Sequence, residues 1–117
     1  MSVTAALFRK LALALPGAAE APHFEATSFR VKGKIFATLH ESPGKATLKL
    51  TREQQEMMTA AEPAMFERVP NFWGDKGWTW MILKAADRKT TESALQAAHT
   101  NATAKAPTRA AKAKRGA

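Results

Sequence analysis

The sequence predicts an α+β domain of two layers, with helices packed on one face of an antiparallel sheet. Three observations predict it. Phe8, Leu11, Ala12 and Leu15 recur at i, i+3, i+4 and i+7, which stacks them on one face of a helix. Short alternating runs then fill residues 24–50, separated by glycine-containing turns. A helix-start signal at Thr51 precedes a second group of strand-like runs and a last amphipathic segment. The expected order is α-β-β-β-α-β-β-α. A chain of 117 residues, 45% of them hydrophobic, has room for one such domain with one core.

Helix one is expected over 3–15 and is stopped by Pro16-Gly17, because the residue before a proline is pushed out of helical geometry. Residues 18–23 read as a connector. Strands are expected at about 24–31, 34–40 and 45–50. The first turn centres on Lys32-Gly33, and its length sets which side chains share a face. A two-residue loop pairs Val31 with Lys34 and puts a lysine among apolar residues. A three-residue loop with Gly33 left-handed puts Phe29, Ile35, Ala37 and Leu39 on one face. Ser28, Arg30, Lys34, Phe36, Thr38 and His40 then occupy the other, and this register is the one expected. Leu48 and Leu50 continue the apolar face, Thr47 and Lys49 the polar one.

Thr51 followed three residues later by Gln54 is a capping-box pattern for helix two, with Met57, Met58 and Ala61 on its apolar side and Pro63 ending it. Residues 65–69 and 78–84 read as another strand pair, joined by "PNFWGDKG". In "WTWMILK", Trp78, Trp80 and Ile82 share one face while Thr79, Met81 and Leu83 share the other. Both faces are largely apolar, which predicts a central or doubly covered strand. Asp87 is a candidate cap for a last helix over about 88–100. Residues 1–103 are therefore expected to form the domain. Residues 104–117, an Ala/Lys-rich segment with too little apolar surface to fold, are expected to be a disordered basic tail.

The formal charge is +8, from 18 basic and 10 acidic residues. Lys105, Arg109, Lys112, Lys114 and Arg115 supply five of those cations in a segment with no acid, so the domain itself carries only +3. A basic balance favours polyanionic partners. No cysteine is present, which removes disulfides and thiolate metal sites and agrees with a reducing cytoplasm. "FRKLALALPGAAEA" has parts of a secretory leader, but Pro-Gly interrupts its short apolar run. No segment approaches transmembrane length, so no membrane partner is expected.

At this point the residues resemble a family. "ALALPGAAEAPHF", "FRVKGKIFATL", "ATLKLT" and "GWTWMIL" are similar, in order and spacing, to the MmcQ/YjbR family of small bacterial proteins. The similarity spans roughly residues 4–99 and leaves the basic tail outside. It implies the order α-β3-α-β2-α, a fold like that of the type III secretion chaperones, and some likeness to frataxin-type proteins. It also implies DNA binding through a double wing of β elements.

No catalytic constellation is expected. The histidines His23, His40 and His99 accompany no nucleophile motif, and His, Asp and Glu are too scattered for a metal site. Frataxin-like iron binding needs an acidic helix, whereas the first helix carries Arg9 and Lys10 and no acid. No cofactor and no small-molecule substrate is suggested. His23 beside Phe24 reads as a packed or capping residue.

The candidate site is instead a nucleic-acid surface, for DNA before RNA. Arg30, Lys34 and Lys49 would bind phosphates on the polar sheet face, with Phe36 stacking on a base if exposed. Lys32, Lys45 and Lys76 would reach the backbone from turn tips, and the five tail cations would add non-specific attraction. The same cations also suit an ordinary solvated face, their stems covering Phe36 and Trp80. Trp73 and Trp78 read as core or lid residues. The competing class is a protein-interaction or chaperone-like module, including a homodimer, that docks through Met57, Met58, Met65 and the Trp loop.

Overall fold

A computed structural model describes residues 3–23, 26–40 and 44–103. Its elements run α1 (Ala5–Leu13), β1 (Ala19–His23), β2 (Ala26–Val31), β3 (Lys34–His40), β4 (Lys45–Lys49), α2 (Arg52–Ala61), β5 (Phe66–Arg68), α3 (Asn71–Asp75), β6 (Trp78–Ile82) and α4 (Arg88–Thr103). The strands form one antiparallel sheet in the order β1-β2-β3-β4-β6-β5. The class is the expected α+β, with one more strand and one more short helix than the sequence predicts.

Helix starts follow local chemistry. The Thr4 hydroxyl accepts the Leu7 amide at the head of α1. Thr51 and Gln54 form the full capping box: the Thr51 hydroxyl accepts the Gln54 amide, and the Gln54 side chain accepts the Thr51 amide. The Asp87 carboxylate accepts the Thr90 amide at the start of α4, and these hydrogen bonds hold its pKa below the ordinary carboxylate value.

One face of the sheet makes the core. Phe29, Ala37, Leu39, Ala46, Leu48 and Met81 all lie there, buried beneath α1 and α4. Phe8 of α1 meets Phe29 edge-on at 5.9 Å, and the Thr91 hydroxyl of α4 reaches the Met81 sulfur. His99 of α4 packs edge-on against Phe36, and its Nε2 makes a 2.7 Å hydrogen bond with the Pro16 carbonyl. Beside α4, α2 is joined to it through Asn101, whose amide donates to the Gln54 side chain and the Lys49 carbonyl. The three helices therefore share one face.

The first hairpin corrects the expected register. Val31 pairs with Lys34, so the loop has two residues; Lys32 and Gly33 take φ values of +54° and +78°, the signature of a type I′ turn. Parity is then restored inside β3. Phe29 pairs with Ala37 but Arg30 with Ile35, which leaves Phe36 as the extra residue of a β-bulge. The bulge turns Phe36 into the core, fully buried, and keeps Ala37 and Leu39 there as well. Ile35 is displaced to the opposite face beside Arg30. Lys34 stands with Val31 on the helix side at the exposed hairpin end. Lysine escapes burial because the strand begins there, not because the loop is longer.

Candidate nucleic-acid interface

The face of the sheet away from the helices presents alternate residues of the same strands. Its central row crosses all six strands as Ala21, Ser28, Thr38, Thr47, Trp80 and Glu67. The hydroxyls in this row are internally matched. Thr38 and Thr47 share a 2.5 Å hydrogen bond, and Ser28 donates to the Ala21 carbonyl while accepting from Arg30 Nε. On one side of the row His40, Lys45 and Ile82 are register neighbours; on the other, Lys49 pairs with Trp78. No helix takes up these tryptophans, which remain half-buried.

Each tryptophan carries a lysine. Lys45 Nζ lies 5.3 Å from the Trp80 ring centre and Lys49 Nζ 5.8 Å from that of Trp78. Both distances are within cation–π range. His40, the register neighbour of Lys45, lies 5.6 Å from Trp80, ring centre to ring centre. Lys49 Nζ also donates to the Lys76 carbonyl at 2.8 Å. Burial, and secondarily the nearby Lys76 charge, hold the Lys49 pKa below the ordinary lysine value.

The ion pairs of the described residues all involve arginines and lie off this face; no described lysine, on this face or elsewhere, takes part in one. Arg9, Arg52, Arg68 and Arg88 are paired with Glu20, Glu56, Asp75 and Glu92 respectively. Among the described residues, no carboxylate pairs with Arg30, Lys45 or Lys49. The acid in the central row is Glu67, at the β5 edge and on the far side of β6 from β4.

Of the sequence-predicted site residues, the open face brings together Arg30, Lys45 and Lys49, with Lys76 at its margin. Lys32 is exposed at the hairpin tip, away from the tryptophans along the sheet. Lys34 is not on this face, and Phe36, buried in the core, offers no stacking surface. The aromatic rings of this face are those of Trp78 and Trp80, not Phe36. Their alternation with Thr79 and Met81 predicts a central or doubly covered strand; β6 is central, paired with β4 and β5. The tail residues Lys105, Arg109, Lys112, Lys114 and Arg115, with the His23 side chain, lie outside the described residues.

A second exposed feature sits on the β5–β6 connection. Phe72 and Trp73 of α3 contact each other edge-on at 5.4 Å, with Lys76 Nζ 4.9 Å from the Phe72 ring centre. The loop is clamped by two glycines. A Cβ on Gly74 would fall 1.7 Å from the Val69 carbonyl oxygen, and one on Gly77 would fall 1.8 Å from that of Leu50. The buried Gln55 amide of α2 donates to the Gly74 and Trp78 carbonyls and fixes the loop from below. Met58 and Met65, proposed as docking residues, pack against or within the core; Met57 is exposed.

Among the described residues no three His, Asp or Glu side chains gather into a metal-binding group, and no helix is long and apolar enough to cross a membrane. The YjbR family model matches residues 13–101. Among curated proteins none matches the sequence. Among solved structures, Deinococcus radiodurans protein DR2400, described as a DUF419 domain, is similar at a TM-score of 0.77 and 21% identity. The match covers 98% of this chain and 89% of that one, a likeness of fold. The family-model match spans every element from the end of α1 into α4, and with it the whole open face: this chain belongs to the YjbR family.

Proposed function

We propose that the protein binds nucleic acid, without catalysing a reaction, through the open sheet face assisted by the basic segment 104–117. The observation that carries this reading is the seating of two cations on two aromatic rings of one open face. Lys45 and Lys49 lie over Trp80 and Trp78, and among the described residues no carboxylate pairs with either lysine. A phosphate backbone supplies the missing anions. It would also relieve the repulsion from Lys76, which adds to the larger effect of burial in lowering the Lys49 pKa. The five cations beyond residue 103 add a sequence-independent term.

The test is a binding titration against DNA and RNA at several salt concentrations, with and without residues 104–117. Neutralising Z phosphates gives a logarithmic salt slope of roughly −0.9Z on duplex DNA, so deletion should remove up to about four or five units of slope. Residual binding by residues 1–103 at low salt is expected from the sheet face. Its absence would remove the face from the site.

One observation favours a second reading, a protein contact or homodimer. Met57, Phe72 and Trp73 are 61%, 58% and 55% exposed, a high exposure for large apolar side chains. Self-association that persists at high salt and is lost on Phe72→Ser would support it, because apolar docking does not weaken with ionic strength as phosphate binding does.

A further inference from the structure

We infer that the open face is a receptor for an unpaired strand, with phosphates running along β4 and bases stacked on Trp78 and Trp80 of β6. The inference rests on the nucleic-acid reading above and narrows it to one class of ligand.

Geometry selects against a duplex. Trp78 and Trp80 are two residues apart on one strand, which sets them about 6.6 Å apart along β6. Neighbouring bases in a duplex rise by only about 3.4 Å, and their faces are covered by one another. Two bases can occupy the two rings only if the strand is extended and unstacked. Lys45 and Lys49 flank these rings from the neighbouring strand, so each tryptophan comes with its own phosphate partner. Glu67 faces the other edge, where a backbone carrying negative charge is repelled. Phosphates are thereby steered to the β4 side and bases to the β6 side.

The lysines also account for how two half-buried tryptophans are kept on a sheet face without a helix to cover them. In the unbound protein each ammonium caps a ring. A phosphodiester is a stronger partner for an ammonium than an aromatic quadrupole, because the hydrogen bond to it is charge-assisted. Binding draws the ammonium toward phosphate and opens the ring to the base. A polyanion lacking bases takes the lysines alone and leaves the tryptophans without a stacking partner.

The experiment compares three probes on the full chain at low salt: a thymidine oligomer of about a dozen nucleotides, a duplex of the same length, and inorganic polyphosphate. Binding is followed by competition and by tryptophan fluorescence, with Trp73 as a constant background. The thymidine oligomer should bind more tightly than the duplex and quench the fluorescence; polyphosphate should bind without comparable quenching. Trp80→Ala should weaken the oligomer about tenfold or more and leave polyphosphate binding unchanged, with Trp80→Phe retaining most of the affinity. Lys45→Gln with Lys49→Gln should weaken all three probes. If Trp80→Ala does not fold, the quenching contrast in the unaltered protein decides. Equal binding of duplex and oligomer, or no quenching by the oligomer, overturns the unpaired-strand inference and leaves the nucleic-acid reading standing. No binding of any probe overturns both.

Discussion

The two faces of this sheet are built from alternate residues of the same strands, yet they differ in how their large side chains are completed. On the helix side, Phe29, Phe36, Leu48 and Met81 are fully buried against α1 and α4, ring against ring and methyl against methyl. On the open side, among the described residues, Lys49 lies over Trp78, and Lys45 and His40 lie against Trp80. A core partner cannot leave without unfolding the domain, whereas a lysine can. The difference teaches that aromatic residues of one sheet can be completed in two ways: those on one face by fixed core partners, those on the other by side chains that can move.

The sharpest break of this comparison comes from the core side. Phe36→Ala should cost about 3–5 kcal/mol, read by urea denaturation, because it empties a fully buried site beneath His99. A cost near zero would mean that Phe36 is a surface residue after all, and that the bulge is misplaced. Gly77→Ala should be comparably damaging, since the new methyl meets the Leu50 carbonyl and φ is +100°. It would loosen the β5–β6 connection and with it the Lys49–Lys76 contact.

A smaller effect is expected at Thr51→Ala, about 1 kcal/mol from loss of the capping box. This variant perturbs stability without touching the open face, so its binding should stay within twofold of the parent; a larger loss would mean that α2 belongs to the site. Smallest in stability is Lys45→Gln. Exposed cation–π pairs contribute about 0.5–1 kcal/mol, so the midpoint should barely move while polyanion affinity falls.

Lys49 sharpens the comparison by pH. Its native pKa lies below the unfolded lysine value, so the unfolded chain holds more protons between the two. This group's contribution to folding therefore improves as the pH rises through that window and is least favourable below it, where the native ammonium is charged and crowded. Binding runs the other way, since a phosphate needs the charged form. Side-chain NMR of Lys49 should show its titration below the ordinary lysine value, moving upward when a thymidine oligomer is added.

Much of this fold was legible in the chain because local chemistry agrees with it. The Thr51–Gln54 box, the Asp87 cap, the stripe of Phe8 and Ala12, and the alternation in β3, β4 and β6 all point one way. β1 was not legible: Ala19–His23 has no β-branched or aromatic residue and contains Pro22, so it joins the sheet edge through backbone pairing with β2. α3 lies in a segment rich in turn residues. The hairpin misled for a specific reason, as a lysine at the first left-handed position is an uncommon choice for a type I′ turn and a bulge has no fixed signature in sequence. Correct parity at Ala37 and Leu39 thus arose from two departures that cancel, leaving Ile35 and Phe36 exchanged. For the site, the cations of β2 and β4 could be read from alternation. That the Trp78 and Trp80 face stays uncovered could not, because it depends on all three long helices choosing the opposite side.

The hydrogen bond between His99 and Pro16 joins positions 83 residues apart and sits where α4 closes over the first hairpin. Its consequence is one of order in time. The α1–β4 portion can pair locally as it is made, but the lid over Phe36, Leu39 and Leu48 is the last of the described helices to be synthesised. Until then the growing chain presents a broad apolar sheet face to its surroundings. A stop codon within α4 should therefore yield not a shorter binder but an adhesive, protease-sensitive half-layer, and the final helix sets whether the nascent protein needs a chaperone.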